Sequence, residues 1–337
     1  MKKITKENLR IVFMGTPEFA VESLRALVEG GYNVVGVVTQ PDKPVGRHQE
    51  TLQPSEVKQY ALSKDLPVLQ PMKMKDPEFI EQLESLHADL QVVVAFRMLP
   101  EAVWNMPRLG TFNVHAALLP QYRGAAPINW AVINGETETG VTTFFLDHDI
   151  DTGRIIMQKS TPIPDEADAE FVYNRLMVLG AEICIETVDR LIEHNGTIPT
   201  LSQEQFGADG KVLHNAPKIF KETCEINWNQ PAKAVYDFVR GLSPHPAAWT
   251  IWQSIAAASE GKQQVIKLYK TKKTGKSTNE PAGTIVSEKS RLFIAAADEW
   301  LEIVELQLAG KRKMTAKDFL NGMRDVDRMK AGRIDGR

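Results

Sequence analysis

The chain has 337 residues, of which 43% are hydrophobic and 25% are charged, a composition typical of a globular protein with about two domains. No apolar run approaches the roughly 18 residues that a membrane-spanning helix needs, and the N-terminal residues do not form the apolar region of a signal peptide. We therefore expect a cytoplasmic protein without a membrane partner. Cys184 and Cys224 are far apart and lack the spacing of metal ligands, so we expect neither a disulfide framework nor a bound metal.

Charge is distributed unevenly along the chain. After Gly207 there are 22 Lys and Arg residues against 15 Asp and Glu, a balance of +7, whereas the residues up to that point have 18 against 28, a balance of −10. A basic part that follows an acidic part is typical of a protein whose C-terminal half binds a polyanion. Chance clustering of surface lysines would produce the same asymmetry, so both interpretations stay open.

The first elements alternate between strand and helix. Residues 10–14 form a short apolar run that predicts a strand, and Thr16 and Pro17 predict the N-cap and the first position of a helix that ends near Glu29. Apolar runs at 33–39, 66–70 and 90–95, separated by helical patterns at 56–64 and 76–86, continue the alternation. This pattern predicts an α/β fold with an open, mostly parallel, Rossmann-like sheet. A dinucleotide site would need G-x-G-x-x-G after the first strand, and because Gly15 stands alone there an NAD-type cofactor is disfavoured.

Two polar side chains mark a candidate site at the end of a buried strand. Asn113 and His115 are two residues apart at the end of an apolar run, so on a strand both side chains point to the same face. Ligands of open α/β sheets bind at the carboxyl ends of the strands, which would place both residues beside a substrate. Asp151 follows the strand predicted at 139–146 and can join them in space. A single histidine is nevertheless more often structural than catalytic, and Asp151 can equally be a turn residue or a helix cap.

Four segments together resemble a known enzyme family: GTPEFA at 15–20, NVH at 113–115, LLPQYRGAAPI at 118–128 and DTG at 151–153. The family is that of the methionyl-tRNA formyltransferases, and the resemblance covers nearly the whole chain. It implies transfer of a formyl group from 10-formyltetrahydrofolate to the α-amino group of methionine on initiator tRNA. The Asn-His-Asp set alone would indicate only the wider group of folate-dependent formyltransferases and related hydrolases.

The resemblance implies a role for each catalytic residue. Attack of an amine on a formyl carbon produces a tetrahedral oxyanion, for which Asn113 would supply an NH2 donor and His115 an imidazole N–H. The amine must also lose a proton and the departing folate nitrogen must gain one, which suits a histidine because its unperturbed pKa is roughly 6.5. Asp151 would stabilise the protonated form of His115.

The folate site that the resemblance implies lies on the turn after the catalytic strand. Its expected residues are Ala117, Leu118, Leu119, Pro120 and Phe96, with residues 147–151 as a further wall. A pterin needs backbone hydrogen-bonding groups and apolar sides, which a Leu-Leu-Pro turn offers, although the two leucines can equally be part of the core. Arg123 is expected to pair with a carboxylate and not to act in catalysis.

The C-terminal part is predicted to be a second domain. A long amphipathic helix at 168–194 and a linker at 196–215 precede short strand-like runs at 265–269, 283–286, 291–295 and 301–306, which predict a small β-barrel. The resemblance implies that this barrel is OB-like. We therefore expect a formyltransferase catalytic domain at 1–206 and an OB-like tRNA-binding domain at 207–337.

Initiator methionyl-tRNA is the expected macromolecular partner. The resemblance assigns the long polar loop at 40–54 to the tRNA acceptor end, although a merely solvated loop fits its composition equally well. Residues 46–50 lack the lysines that are frequent in the family, which should weaken nonspecific attraction to phosphate. The expected tRNA-binding residues are Arg47, as the specific contact, and Lys43, Lys272, Lys273, Lys311, Arg312 and Lys313.

Three alternative functions stay open. A glycinamide ribonucleotide formyltransferase would share the catalytic set and the folate but needs no second basic domain. A formyltetrahydrofolate hydrolase would share the same set and send water to the formyl group. A nonenzymatic RNA-binding protein would explain the basic barrel but would leave Asn113, His115 and Asp151 without a role. We expect the chain to act as a monomer.

Overall fold

The computed structural model of the chain describes residues 3–45, 51–206, 212–254, 263–323, 326 and 329–332. The strands, in chain order, are β1 Ile11–Gly15, β2 Val34–Val38, β3 Lys43–Val45, β4 Thr51–Gln53, β5 Val68–Leu69, β6 Leu90–Val94, β7 Thr111–His115, β8 Arg123–Gly124, β9 Glu138–Phe145, β10 Ile155–Pro162, β11 Asn215–Ala216, β12 Ala248–Ser254, β13 Gln263–Ser277, β14 Ile285–Glu288, β15 Arg291–Ala295, β16 Glu299–Leu308, β17 Met314–Thr315 and β18 Met329–Gly332. The helices are α1 Glu18–Glu29, α2 Glu56–Ser63, α3 Pro77–Ser85, α4 Glu101–Trp104, α5 Pro127–Ile133, α6 Ala169–Glu193, α7 Gln203–Phe206, α8 Ala232–Gly241 and α9 Ala316–Gly322, with a 3-10 turn at Glu222–Cys224.

The chain forms two compact units whose segments interleave. The described residues of Met1–Gly124, Glu138–Thr161 and Tyr173–Asn215 form the first unit. Those of Ala125–Thr137, Pro162–Val172 and Ala216–Arg337 form the second. Helix α5 therefore belongs to the second unit although it precedes strand β9 of the first.

The first unit contains a seven-stranded sheet with the order β10-β9-β7-β6-β1-β2-β5. Strands β5, β2, β1, β6 and β7 run parallel to one another, and β9 runs antiparallel to β7. The predicted mostly parallel, Rossmann-like sheet is thus confirmed. Strands β1 and β6 are buried along their whole length because parallel sheets are covered on both faces, which is why both sequences are almost entirely apolar.

The strand order places the candidate site at the edge where the parallel strands end. The chain leaves β1 towards β2 on one side and returns to β6 on the other, so the change of direction lies between β1 and β6. Gly15, Val94 and Val114 stand side by side at the carboxyl ends of β1, β6 and β7. Ligands of such sheets bind in the crevice beside this edge.

The structure differs from the sequence-based expectations for the first unit at three places. Residues 40–54, predicted as a loop, contain the antiparallel pair β3 and β4, and residues 46–50 lie outside the described residues. The predicted cap of α1 was wrong because Pro17 holds the N-cap position, while the hydroxyl of Thr16 accepts a hydrogen bond from the backbone N–H of Gln40 at 3.4 Å. The predicted linker at 196–215 contains helix α7.

The second unit contains an antiparallel sheet with the order β14-β15-β16-β13-β12-β18, and β17 also pairs with β16. A bridge between Thr284 and Lys330, and a 2.8 Å hydrogen bond from the Ala331 N–H to the Gly283 carbonyl, join the two ends of this sheet. The strand-like runs predicted at 265–269, 283–286, 291–295 and 301–306 are confirmed, because they overlap β13, β14, β15 and β16, which belong to one antiparallel sheet. Trp252 of β12 is fully buried, and its ring meets that of Phe319 of α9 edge-on at 5.4 Å.

Helices α5 and α8 pack closely within the second unit. The side-chain amide of Asn129 donates a 2.8 Å hydrogen bond to the carbonyl of Gly241, and a Cβ at position 241 would lie 2.8 Å from the backbone nitrogen of Ile133. Only glycine at 241 therefore permits this approach. On the same helix, buried Asp237 accepts hydrogen bonds from Lys233 and from buried Arg240.

Within the part of the chain that the structure describes, each helix is either too short or too polar to span a bilayer.

Candidate active site

Strand β7 positions both polar residues that the sequence analysis selected. Its period of two places Asn113 and His115 on one face of the sheet, where His115 is 7% exposed and Asn113 is half-buried. The ring of Phe144 from the neighbouring strand β9 meets the His115 ring edge-on at 6.4 Å. The histidine is thus buried at the end of a central strand, with an aromatic ring on one side.

The hydrogen bonds of His115 define its tautomer. Nε2 lies 2.9 Å from the backbone carbonyl of Tyr122, and a carbonyl only accepts hydrogen bonds, so Nε2 carries the proton. Nδ1 lies 3.9 Å from the Oδ2 atom of Asp151. In the neutral ring, Nδ1 therefore has the lone pair, and it is the nitrogen that gains a proton when the ring becomes charged.

Asp151 lies in a turn that brings its carboxylate back to β7. Its Oδ2 atom accepts a 2.9 Å hydrogen bond from the backbone N–H of Gly124, and its backbone has a positive φ of 55°. Two residues later, a Cβ at Gly153 would lie 1.7 Å from the Phe145 carbonyl, so this turn needs glycine at position 153. The structure thus places the Asp151 carboxylate beside His115, and Asn113 lies on the same face of β7.

Arg123 has a different partner from the one predicted. Its Nε and Nη2 atoms donate hydrogen bonds of 2.9 and 2.6 Å to the Oε1 atom of Gln203, which is an amide oxygen and not a carboxylate. Gln203 is buried at 4% exposure on helix α7, in the segment that was predicted to be a linker. The sequence gives no strong signal for this residue, because a glutamine in a short polar segment is typical of a surface loop.

The turn predicted to bind folate is held mainly by two polar side chains. The buried hydroxyl of Thr142 accepts from the Leu119 N–H at 3.1 Å and donates to the Ala117 carbonyl at 2.7 Å. The amide of Gln158 donates to the Leu119 carbonyl at 2.7 Å. The Leu119 side chain packs into a core cluster with Phe144 and Ile155. Leu119 is therefore a core residue by its side chain.

The other residues predicted for the folate site lie near the same edge of the sheet. Ala117 is fully buried, Pro120 is buried after a cis peptide bond, and Leu118 is half-buried. Phe96 follows the end of β6 and packs partly against the core of the first unit. Ala95, which lies between the end of β6 and Phe96, is exposed and has a positive φ of 48°, so the chain turns sharply where β6 ends.

The predicted tRNA-binding residues have unequal surroundings. Lys273 forms a 2.6 Å ion pair with Asp165 and lies 4.9 Å above the ring of Tyr236, while Lys313 forms a 3.0 Å ion pair with Glu305. The side chains of Lys43, Lys272, Lys311 and Arg312 are exposed. Arg47 lies outside the described residues. No group of three or more His, Cys, Asp or Glu side chains suited to a metal ion is present in the described ranges.

Comparison with known proteins identifies the class to which this fold and site belong. Residues 9–188 match the formyl transferase family, and residues 218–324 match the family of formyl transferase C-terminal domains. The solved structure of WlaRD, a sugar 3N-formyl transferase, shares the fold with a TM-score of 0.61 at 18% identity, over 90% of this chain and 99% of that one. HypX from Aquifex aeolicus has a TM-score of 0.59 at 17% identity over 92% of this chain, which spans about half (46%) of the HypX chain.

Curated relatives narrow the class. The methionyl-tRNA formyltransferase of Parabacteroides distasonis is 62% identical over 322 residues, covering 95% of this chain and 98% of the relative. That of Bacteroides thetaiotaomicron is 56% identical over 323 residues, covering 96% and 98%. The chain belongs to the methionyl-tRNA formyltransferase family, and the resemblance seen in the sequence is confirmed.

Proposed function

We propose that this chain transfers the formyl group of 10-formyltetrahydrofolate to the α-amino group of methionyl initiator tRNA. The observation that carries the proposal is the convergence of Asn113, His115 and Asp151 at the carboxyl end of β7, in a chain 62% identical to a methionyl-tRNA formyltransferase. Structural neighbours such as HypX in complex with tetrahydrofolic acid support a folate as the donor.

His115 carries the proton in the proposed reaction. Because Nε2–H is bonded to the Tyr122 carbonyl, the lone pair of Nδ1 is the base that accepts a proton from the attacking amine. The imidazolium that results has the Asp151 carboxylate 3.9 Å from Nδ1, and this negative charge stabilises the protonated ring. The same nitrogen then returns the proton to the departing folate nitrogen. His115 acts on the oxyanion only in its protonated form, since the neutral ring has no second N–H.

Asn113 stabilises the negative oxygen of the tetrahedral intermediate. Its amide NH2 is a donor that needs no change of protonation state, and it lies on the same strand face as His115. A donor fixed to a central strand of the sheet needs little reorganisation as charge develops, which is the property that makes such donors effective in catalysis.

The folate is proposed to bind along the turn after β7. Leu118 supplies an apolar side chain, Ala117, Leu119 and Pro120 supply the backbone, and Phe96 forms the opposite wall. The bonds from Thr142 and Gln158 support this assignment because they hold the turn rigid before a ligand arrives. Rigidity of this kind lowers the entropic cost of ordering a site on binding.

The proposed function includes a division into two domains and a set of tRNA-binding residues. We propose a catalytic domain at 1–206 and a tRNA-binding domain at 207–337; the matched family ranges 9–188 and 218–324 lie on either side of this boundary, although residues 125–137 and 162–172 pack with the second unit. The joined ends of the second sheet support an OB-like barrel for tRNA binding. Arg47 is proposed as the specific contact to the tRNA acceptor end. The exposed Lys43, Lys272, Lys311 and Arg312 are proposed to contact tRNA phosphates, with Lys273 and Lys313 contributing from their ion pairs. We place the enzyme in the cytoplasm, as a monomer.

One assay tests the reaction against its alternatives. The purified chain is incubated with 10-formyltetrahydrofolate and either methionyl initiator tRNA, glycinamide ribonucleotide or no acceptor, and formylated product and released tetrahydrofolate are measured. We expect formyl-methionyl-tRNA in the first mixture and little turnover in the others. Turnover only with glycinamide ribonucleotide would indicate the related formyltransferase, and turnover without an acceptor would indicate a hydrolase. Absence of formyl-methionyl-tRNA contradicts the proposal.

A further inference from the structure

Gln203 occupies an unusual position for a residue between two domains. It begins the four-residue helix α7 in a segment whose composition predicts a linker, yet only 4% of its surface is exposed. Its neighbours on the helix, Glu204 and Gln205, are exposed. The burial is therefore specific to this side chain.

The amide of Gln203 makes four hydrogen bonds in the first unit. Its Oε1 atom accepts from Nε and Nη2 of Arg123, at 2.9 and 2.6 Å. Its Nε2 atom donates to the carbonyls of Asp151 and Gly153, at 2.7 and 2.9 Å. Both N–H donors and the acceptor oxygen of the amide are used. If the amide were rotated by 180°, its NH2 group would face the N–H groups of Arg123 and its oxygen would face the two backbone carbonyls. The orientation of the amide is thus fixed by its partners.

Two groups position the Asp151 carboxylate, the backbone of its own turn and the N–H of Gly124, and Gln203 is bonded to the segments that contain both. The backbone of the turn is held through the carbonyls of Asp151 and Gly153, and Asp151 itself is in the left-handed conformation that residues with a Cβ rarely adopt. The carboxylate itself is held by the N–H of Gly124, and Arg123, the residue before Gly124, is bonded to the same amide. Gln203 therefore ties the turn to strand β8.

We propose that Gln203 is a positioning residue that fixes the Asp151 carboxylate beside His115. The inference rests on the proposed formyl transfer, because Asp151 matters there for stabilising the protonated ring. A residue that positions a catalytic group would therefore lie in the segment after α6, which the sequence analysis predicted to be a linker. Gln203 itself contacts neither His115 nor a reacting atom in this arrangement, so its effect passes through Asp151.

The test separates the donor and acceptor functions of the amide. Gln203→Met keeps the length of the side chain and removes all four bonds, whereas Gln203→Glu keeps an acceptor for Arg123 and removes the two N–H donors. Glu204→Met, at an exposed position of the same helix, is the matched control. Formation of formyl-methionyl-tRNA is measured as kcat and KM for both substrates, and melting temperature is measured for each variant.

The expected result is a loss of kcat with binding retained. Because misplacement of a catalytic group by about 1 Å can cost roughly 100-fold, we expect kcat to fall about 30- to 100-fold in both Gln203 variants, with KM within about threefold of wild type. A folded Gln203→Met or Gln203→Glu variant with wild-type kcat overturns the inference, as does a loss confined to KM or an equal loss in Glu204→Met. If Gln203→Met does not fold, Gln203→Glu carries the test. If the wild-type chain forms no formyl-methionyl-tRNA, the proposed function itself is contradicted. This outcome distinguishes failure of the proposed function from failure of the inference about Gln203.

Discussion

The Nδ1 atom of His115 lies 3.9 Å from the Oδ2 atom of Asp151. This distance exceeds a hydrogen bond, so the two groups interact through charge when the ring is protonated. The same carboxylate oxygen is already bonded to the Gly124 N–H, which keeps it directed towards the histidine. A base with a stationary counter-charge can accept and return one proton without moving either group.

Replacement of His115 or Asn113 by alanine should slow the chemical step. Loss of an acid–base group or an oxyanion donor typically costs two to three powers of ten, and we expect a decrease of about 100- to 1000-fold for each. Single-turnover formation of formyl-methionyl-tRNA measures it. Asn105→Ala, at an exposed position after α4, is the control and should keep wild-type turnover. Wild-type turnover in either catalytic variant would remove that residue from the mechanism.

Thr142→Val should weaken folate binding. The change keeps the shape of the buried side chain but leaves the Leu119 N–H and the Ala117 carbonyl without this partner, at a cost of about 1–3 kcal/mol in the free energy of unfolding. The turn should then loosen and KM for 10-formyltetrahydrofolate should rise. Thr143→Val is the control, because Thr143 bonds to Thr187 and not to the turn. An unchanged KM in Thr142→Val, or an equal rise in both variants, would argue against a folate site on this turn.

Arg47→Ala should impair the choice of tRNA more than the chemistry. A contact that positions the acceptor end contributes to discrimination, whereas general phosphate attraction does not. We expect the ratio of kcat/KM for initiator over elongator methionyl-tRNA to fall, with little change in KM for the folate. Lys75→Ala, at an exposed position after β5, is the control. If the preference for initiator tRNA is unchanged, the 40–54 segment has no role in recognition.

Both cysteines should be unreactive in the folded protein. Burial raises the pKa of the Cys184 thiol to about 12, and it also raises the pKa of Cys224. Since the thiolate is the reactive form, roughly one Cys184 thiol in ten thousand is ionised at pH 8. A thiol reagent such as Ellman's reagent should therefore titrate both residues only after unfolding, with slow reaction of native protein up to pH 9. Rapid release of one equivalent from the native protein would contradict the burial of Cys184.

Asp237→Ala should destabilise the second unit strongly. The substitution leaves the buried guanidinium of Arg240 without its carboxylate partner, although its bond to the Ala167 carbonyl stays. Breaking a buried ion pair from one side typically costs about 3–5 kcal/mol in the free energy of unfolding. Urea denaturation followed by circular dichroism measures this loss. Glu288→Ala, at an exposed strand end, should change stability by less than about 0.5 kcal/mol. A similar small change for Asp237→Ala would mean that Arg240 finds another partner.

The parallel strands were predictable because burial on both faces leaves a continuous apolar run. Strands β1, β2 and β6 were predicted to within about two residues for this reason. Strand β10 at the sheet edge was not identified, because its polar and apolar residues mix. Helix α8 was also missed, although its buried Val235, Tyr236 and Val239 recur at helical spacing and the sequence therefore carried a signal for it. The cap of α1 was misassigned because the hydroxyl of Thr16 bonds to Gln40, a tertiary contact that local patterns do not contain.

The candidate site also contains residues that the sequence predicts and groups that it does not reveal. The period of a strand was enough to place Asn113 and His115 on one face, and the family resemblance gave Asp151 its role beside them. The groups that orient them are largely backbone atoms, namely the Tyr122 carbonyl, which fixes the histidine tautomer, and the Gly124 N–H, which holds the carboxylate. Every residue has such atoms, so residue identity does not reveal them. Gln203 is a side chain, but its role depends on a fold that brings α7 to β8.

The close packing of α5 against α8 has a consequence for how the chain is made. Roughly 100 residues separate the two helices, and at a synthesis rate of about 5–20 residues per second α5 leaves the ribosome some 5–20 seconds before α8. During that interval the face of α5 that receives Gly241 has no partner from its own unit. In the nascent chain, α5 therefore lacks the packing of α8 while the strands β9 and β10 that follow it are still being synthesised. Slower synthesis of residues 134–231 should therefore prolong the exposure of this face of α5.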